Sequence, residues 1–365
     1  NSPRGHFPEK APVKGAFFYF FWYTVAGFIH FREAKMLEIV ACSGKKQMNR
    51  FIKFPWRVYK GDPCWVAPLL VEQKGVAFNK KKHPFFEFGE AAYFLALRDG
   101  KPVARVCAHV NHLHDKHHGV REGFFGFFEA LNDPEAVKAL FAKAEAWLRD
   151  KGATMVRGPY NYTIYDEIGM LADGWDNEPK IPVLMEMYNH RYYLDLMREA
   201  GYEKEIDWLA FMVGSDTEIK PVFDKIRKRL EEQGYLFRAV NTKKLDQEVE
   251  ALKEVVNRSW DANWGHVPYT DRQFETIKEA FKLIMDPRMI FMVEYEGKVV
   301  ASSITLPDLN PSIKKMNGRL FPFGWWHFLR AKKRATGLRT FLFGVLPEHR
   351  NKGIDAILVT DTIRF

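Results

Sequence analysis

A run of apolar residues, a basic turn and a helix start follow one another near the end of this chain. Residues 340–346 are rich in apolar side chains and predict a buried strand. A Pro-Glu-His turn comes next, and apolar residues then recur at helical spacing in 354–362. The first N–H groups of a helix lack partners within the helix and attract anions. This order therefore predicts a loop that holds a phosphate group.

The turn itself carries the residues that such a loop needs. Arg350 and Lys352 add positive charge, and Gly353 lets the backbone approach a phosphate closely. The segment 350–355 resembles the coenzyme A loop of GNAT acyltransferases, in which Arg or Gln is followed by two residues, Gly, one residue, and Gly or Ala. Asp355 departs from that pattern, and its carboxylate repels a pyrophosphate unless it turns away or caps the helix. The alternative is an ordinary strand-to-helix turn with a basic rim.

The resemblance implies a set of residues that contact an acyl-CoA cofactor, with acetyl-CoA as the expected donor. They are Gly344, Val345, Arg350, Asn351, Lys352, Gly353 and Ile354. The N–H groups near Gly344 and Val345 are also candidates for contact with the thioester oxygen.

Length and charge limit the other possibilities. A chain of 365 residues favours two domains, and 47% hydrophobic with 28% charged residues is typical of a globular protein. The net charge of +9 suits an anionic ligand, but no recognised nucleic-acid motif accompanies it, so we expect no nucleic-acid partner. Cys42, Cys64 and Cys107 show no paired spacing, which predicts free thiols in a reducing cytoplasm.

The two ends of the sequence differ from the rest. Residues 16–31 form a nearly unbroken apolar run, shorter than the about 20 residues that a membrane span needs. We expect the natural protein to start at Met36, with residues 1–35 as an upstream or non-native extension and a short membrane anchor as the alternative. The chain stops at Phe365 soon after the loop, where a further strand and helix would complete a sheet, so we expect a C-terminal truncation.

The sequence of the first half predicts one α/β unit. Alternating and apolar segments predict a hairpin over 92–110 with Asp99-Gly100 as its turn, and a strand over 123–131. Asn132 or Asp133 can cap a helix that runs to Lys151. A closing strand is predicted over 208–213.

The second half repeats this order. Helical spacing predicts helices over 245–260 and 271–285, and a hairpin follows over 289–305. The strand over 340–346 then leads into the basic turn. A bridging helix over 217–233 is predicted between the halves.

This arrangement resembles GNAT domains over residues 36–213 and 236–365, joined by a bridging segment over 214–235. The tandem order resembles a family of two-domain bacterial GNAT-like proteins, and the likeness rests on the segments 124–129, 157–161, 166–169 and 321–325. It implies an α/β fold with two tandem GNAT-like acyl-CoA acyltransferase domains, whose mixed, mostly antiparallel sheets are flanked by helices. The second domain would be incomplete at its C-terminus.

The first half lacks a matching phosphate loop. Its strand passes directly into Asn132-Asp133-Pro134-Glu135, which offers acidic residues and a proline without an N–H. This predicts a degenerate cofactor loop in a domain that forms one wall of a substrate groove.

Catalytic residues are harder to assign. Asp166 and Glu167 follow a strand end, and a carboxylate there can accept the proton of an attacking amine. The alternative is that they pair with Arg157 or cap the following turn. The region in which GNAT enzymes often place a tyrosine acid lies beyond Phe365, so the remaining catalytic residues stay unknown.

Two further segments stand out. The first is a histidine cluster made of His109, His112, His114, His117 and His118. Histidines can bind zinc, but this spacing matches no common zinc site, so we predict a solvated hairpin loop and no metal.

The second is the basic and aromatic segment 314–339. It is either a surface for lipid or an acyl chain, or an excursion that packs its aromatic side chains inward. We favour inward packing, and expect membrane contact only through residues 16–31.

The resemblance, together with the basic loop, implies an acyl-CoA-dependent N-acyltransferase that moves an acetyl group to a small-molecule or peptide amine, most simply as a monomer. The second domain would hold the cofactor. The alternatives are a non-catalytic tandem GNAT-like protein that binds acyl-CoA or another ligand, and an aminoacyl-tRNA-dependent transferase of similar fold.

Overall fold

The computed structural model describes residues 36–178, 180–214, 216–284 and 286–365. Residues 36–365 form one compact unit. The predictions for residues 1–35, including the apolar run 16–31, lie outside the described residues.

The strands of the described residues fall into two groups along the chain. They are β1 (Leu37–Ala41), β2 (Gly89–Arg98), β3 (Lys101–Asn111), β4 (Glu122–Ala130), β5 (Met155–Arg157), β6 (Tyr235–Ala239), β7 (Ile290–Tyr295), β8 (Lys298–Pro307) and β9 (Leu338–Val345). Helices lie between and after them. They are α1 (Gly44–Lys53), α2 (Pro55–Val58), α3 (Leu70–Glu72), α4 (His112–His118), α5 (Pro134–Asp150), α6 (Tyr193–Glu199), α7 (Val222–Glu232), α8 (Leu245–Trp260), α9 (Asp271–Ile284), α10 (Asn310–Ile313), α11 (Gly324–Arg334) and α12 (Ile354–Arg364).

The first sheet has the order β1-β2-β3-β4-β5. Its first four strands pair antiparallel, and β5 joins β4 in parallel. Asp99 and Gly100 both have positive φ in the β2–β3 turn, as a two-residue hairpin with the twist of its strands requires. Helix α5 covers this sheet with the buried side chains of Leu140, Phe141 and Leu148.

The second sheet has the order β6-β7-β8-β9 and is antiparallel throughout. Glu296 and Gly297 repeat the positive-φ turn between β7 and β8. Helices α8 and α12 bury Val255 and Ile357 in the same cluster as Val345 of the last strand. The predicted α/β class, with two mixed and mostly antiparallel sheets flanked by helices, is confirmed.

Some predicted elements are wrong in place or kind. Residues 208–213 form no strand, and Leu209 and Phe211 are 75% and 87% exposed. A strand needs a hydrogen-bonding neighbour, and no described strand pairs with this segment. The bridging helix begins at Val222 rather than at residue 217.

The excursion between β8 and β9 also differs from its prediction. Its aromatic side chains were expected to pack inward, yet Phe321 and Phe323 lie in solvent and Trp325 and Trp326 are partly exposed. Its inner contacts come instead from residues such as Met316 and Ala331, which are buried. No helix in the described ranges is long and apolar enough to cross a membrane.

Candidate active site

The basic turn after β9 has the backbone geometry that its sequence predicts. A short 3-10 turn, Pro347–His349, leads to Gly353, which has φ of 92° and precedes the first residue of α12. Among the residues that the structure describes, no side chain caps this helix. The first N–H groups of α12 therefore lack a side-chain acceptor from these residues, and the helix dipole favours an anion beside them.

The two cations of the turn are held by the protein. Arg350 donates from Nε to the carbonyl of Val345 at 3.2 Å, and from its terminal nitrogen to the carbonyl of Ser259. Lys352 lies at the surface, and its Nζ donates to the hydroxyl of Tyr235 at 2.8 Å. Arg350 thus fastens the turn to α8, while Lys352 keeps its charge at the exposed side of the loop.

Gly344 lies where the strand comes closest to α8. A β-carbon at this position would lie 2.3 Å from Ser259 Oγ, so only glycine allows the strand and helix to approach this far. Gly344 pairs in register with Ser302 of β8, whose buried hydroxyl has no hydrogen-bond partner within the described part of the chain. Sequence reasoning missed both serines, because a single serine in a helix or strand gives no signal.

Asp355, the departure from the GNAT pattern, is exposed and does not cap α12. Its carboxylate is therefore solvated on the first turn of the helix. It weakens the positive potential there without occupying the N–H groups.

In the first half, the N-terminus of α5 corresponds to the start of α12, and a side chain already caps it. Asp133 Oδ1 accepts from the N–H of Ala136 at 3.1 Å and so caps α5. Arg98 bonds to Asp133 and to Glu135, and its hydrogen bond holds the pKa of Asp133 below the ordinary value. A carboxylate thus stands where an anionic ligand would have to bind.

Asp166 and Glu167 lie in the loop that follows β5. Tyr160 at the start of this loop donates its N–H to Phe125 of β4 at 2.7 Å. Asp166 accepts from the N–H and the hydroxyl of Thr163, at 3.1 and 2.8 Å, so it holds the turn that precedes it and not the following one. Burial raises the pKa of Asp166 to about 7. Glu167 accepts from Asn161 Nδ2 at 2.7 Å.

The other expected partner of these carboxylates, Arg157, is engaged elsewhere. It bonds to Glu122 and to Glu205, and its guanidinium lies 5.3 Å from the ring of Trp264 in the second half. The prediction that Arg157 pairs with Asp166 or Glu167 is therefore wrong. The closer acidic partner, Glu122, comes from β4, and the sequence separation gave no sign of it.

A groove lies where the loop after β5 meets the second half. It holds about 370 Å³ of empty space, including its open mouth, and Tyr160, Thr163 and Tyr165 face Gly265, Val267 and Gln273 across it. The ring of Tyr165 stacks on Tyr269 with centroids 3.7 Å apart, and its hydroxyl bonds to His266 Nδ1 and to the Val267 carbonyl.

Tyr165 also links the groove to the strand that leads to the basic turn. Its ring lies 6.0 Å from that of Trp260, and Trp260 Nε1 donates to the carbonyl of Phe343 at 2.8 Å. Phe343 directly precedes Gly344. Contacts through Tyr165 and Trp260 thus connect the loop that carries Asp166 to the strand that leads to the basic turn.

The histidine segment is a helix rather than a solvated loop. Asn111 caps α4 by accepting from the N–H groups of Leu113 and His114, and Gly119 ends the helix with φ of 70°. This Asn-to-Gly spacing is a signal that could have predicted the helix. His109 and His114 are buried, and burial lowers the pKa of each to about 4. Among the described residues, no three His, Cys, Asp or Glu side chains are placed to hold a metal ion together.

Two curated proteins resemble this chain over most of its length. Protein YghO of Escherichia coli is 32% identical over 331 residues, covering 88% of this chain and 82% of its own. The bacterial ceramide synthase of Caulobacter vibrioides is 33% identical over 312 residues, covering 85% of this chain and 80% of its own. The chain belongs to the family of these two proteins. We call it the YghO/ceramide synthase family; no family model matches the chain.

Solved structures superpose on this member of the YghO/ceramide synthase family only loosely. A tandem GNAT protein from the clavulanic acid biosynthesis pathway is 11% identical, covers 90% of this chain and 85% of its own, and has a TM-score of 0.46. An aminoglycoside acetyltransferase from a soil metagenome is 12% identical, covers 49% of this chain and 97% of its own, and has a TM-score of 0.31. Overlaps of this kind carry no argument about function.

Proposed function

We propose that this protein is an acyl-CoA-dependent N-acyltransferase whose acceptor is a long-chain amino alcohol. The observation that carries the proposal is the uncapped, basic start of α12, in a chain that is 33% identical to a bacterial ceramide synthase. A ceramide is a long-chain amino alcohol with a fatty-acyl amide on its nitrogen. The acetyl donor that the sequence suggested is therefore widened to acyl-CoA, with a fatty-acyl group as the expected substrate.

The donor site would lie in the second half. Residues 36–213 and 236–365 would each be a GNAT-like domain, with 214–235 between them. The N–H groups at the start of α12 and the charge of Lys352 would hold the pyrophosphate, while Gly344 and Val345 would lie beside the thioester. A second donor site in the first half is not expected, because Asp133 already caps α5 where the pyrophosphate would have to bind.

The reaction needs a proton acceptor for the amine. The amine nitrogen forms a bond to the thioester carbonyl carbon, the carbon–sulfur bond breaks, and the CoA thiolate takes up a proton. Asp166 is our candidate for the group that removes the amine proton, since a pKa of about 7 suits a general base near neutral pH. Glu167 is held by Asn161, and we assign it to the support of this loop.

A thiol-release assay tests the proposal. Acetyl-CoA and palmitoyl-CoA are each supplied with sphinganine or with a short amine, and free CoA thiol and the amide product are measured. We expect amide and thiol in equal amounts, with sphinganine preferred over the short amine. A folded protein that binds the donor but gives neither product with any pair would overturn the proposal and favour a non-catalytic binding protein.

Asp166→Asn tests the assigned base separately. Its matched control is Asp150→Asn, an exposed carboxylate at the end of α5. We expect kcat to fall at least roughly a hundred-fold for the first substitution and to stay unchanged for the second. Equal activity of the two variants would remove Asp166 from the mechanism and leave the acyl-transfer proposal standing.

A further inference from the structure

The excursion between β8 and β9 is unusual in its charge. No acidic residue occurs between Asp308 and Glu348, whereas the same stretch holds eight lysines and arginines. The net charge of the whole chain is +9, and this stretch alone contributes eight positive charges and no negative charge to it. A solvated protein surface ordinarily mixes both signs, so this separation needs its own explanation.

Large apolar side chains share this excursion with the cations. Phe321, Phe323 and Leu329 are 73%, 77% and 64% exposed, and Trp325 and Trp326 are more than 40% exposed. The guanidinium of Arg330 lies 3.7 Å from the ring centroid of Trp326, so charge and aromatic surface lie side by side. We call this set the aromatic–basic surface; it consists of Arg319, Phe321, Phe323, Trp325, Trp326, Leu329, Arg330, Lys332, Lys333 and Arg334.

The segment next to the aromatic–basic surface, residues 317–318, is attached to the first half by hydrogen bonds. Trp56 Nε1 donates to Asn317 Oδ1 at 3.0 Å, and the N–H of Leu70 donates to the Gly318 carbonyl at 2.9 Å. A β-carbon on Gly318 would lie 2.4 Å from the Trp56 ring, so the two segments are in close contact. The inner side of the excursion is thus occupied by the first half, and the aromatic–basic surface is its outer side.

We propose that the aromatic–basic surface docks on a lipid bilayer that contains anionic headgroups. Indole and phenyl rings favour the boundary between headgroups and acyl chains, and exposed Lys and Arg are attracted to anionic lipid. Helix α11 is about 16 Å long by its rise per residue, which suits a helix lying in the plane of the interface. The inference does not depend on the proposed enzymatic activity.

Other occupants fit less well. A second copy of the chain paired through the same surface would bring two basic surfaces together, and like charges at close range repel each other. A nucleic-acid duplex would match the charge, but its phosphate contacts leave Phe321 and Phe323 without an apolar partner. An anionic lipid interface satisfies both the charge and the apolar side chains.

Vesicle co-sedimentation of the full chain tests the proposal. The vesicles are phosphatidylcholine alone, or equal parts of phosphatidylcholine and phosphatidylglycerol. We expect the protein to sediment with the anionic vesicles and to remain largely in solution with the neutral ones. Two variants, Lys333→Glu with Arg334→Glu, and Phe321→Ser with Phe323→Ser, should each weaken binding at least roughly ten-fold.

The matched control reverses two exposed lysines on α1, Lys45→Glu with Lys46→Glu, and should bind as the parent does. Melting temperature and sizing chromatography accompany each variant to confirm folding and oligomeric state. Failure of the parent to bind anionic vesicles would overturn the proposal. So would equal binding by all variants, or a change of oligomeric state, rather than of vesicle binding, in the surface variants.

Discussion

Ser259 and Gly344 lie so close that a β-carbon on the glycine would be 2.3 Å from the serine hydroxyl oxygen. This contact joins the end of α8 to the strand that leads into the basic turn. Arg350 strengthens the same junction, because its guanidinium donates to the carbonyl of Ser259. The position of the turn therefore depends on how closely α8 approaches β9.

Gly344→Ala should push α8 away from β9. Overpacking a buried contact of this kind costs about 1–3 kcal/mol of unfolding free energy. Adding Ser259→Ala removes the clashing oxygen and should restore part of that loss, although the Cβ of residue 259 stays within 3.2 Å. Denaturant unfolding of the two single variants and the double variant measures the coupling, and strictly additive losses would contradict the account.

Asp355→Asn should strengthen CoA binding. The carboxylate is exposed on the first turn of α12, where a negative side chain opposes a bound anion. Removing one charge near a helix start changes the binding free energy by about 0.3–1 kcal/mol, or roughly two- to five-fold in affinity. Isothermal titration at low salt measures this change, and the gain should shrink at high salt. Weaker binding after the substitution would show that Asp355 assists the ligand.

Asp166 should make stability fall as pH rises. Its folded-state pKa of about 7 lies above the ordinary value of 3.8, so the folded protein holds this proton more tightly than the unfolded chain does. The stabilising contribution is full below the unfolded pKa and is lost as pH rises toward the folded pKa. Each unit of such a shift corresponds to about 1.4 kcal/mol.

The Asp166→Asn variant cannot titrate at this position. Relative to this variant, the parent should lose at least about 1.4 kcal/mol of unfolding free energy between about pH 4.5 and pH 8. These two pH values cover most of the interval between the ordinary pKa of 3.8 and the folded-state pKa of about 7. Urea unfolding at each pH provides the measurement. Parallel pH profiles for parent and variant would mean that Asp166 is solvated as an ordinary carboxylate.

Several features of this fold could be predicted because local chemistry decides them. The Asp99-Gly100 turn needs two residues that tolerate positive φ, and Asp133 with Pro134 is a strong start signal for α5. Gly353 before α12 is also determined locally, because its φ of 92° favours glycine. Each of these is set by neighbours along the chain, so the sequence alone was sufficient.

Other features depend on contacts between distant segments. Residues 208–213 have the composition of a strand but lack a neighbouring strand among the described residues. Arg350 is predicted as a phosphate ligand, and nothing in the sequence indicated that it also donates to two backbone carbonyls, one of them on α8. Charge and composition show that such residues matter, but only the packed structure shows what they contact.

Gly126→Ala should loosen the loop that carries Asp166. A β-carbon on Gly126 would lie 1.6 Å from the carbonyl oxygen of Tyr160, so strand β4 and the loop must separate. We expect a loss of unfolding free energy of about 1–3 kcal/mol or more. The matched control is Gly75→Ala, where a β-carbon meets nothing within 4 Å and the change should stay within about 0.5 kcal/mol. Similar melting curves for both variants would argue against this close approach.

Titration of coenzyme A into the full chain tests the central claim most directly. Lys352→Glu reverses the charge at the exposed side of the basic turn, and Lys45→Glu makes the same change on α1, in the other half of the chain. The account predicts that the parent and Lys45→Glu bind alike, while Lys352→Glu binds at least roughly ten-fold more weakly. A folded parent that does not bind coenzyme A, or equal weakening by both substitutions, would contradict the assignment of the cofactor to this turn.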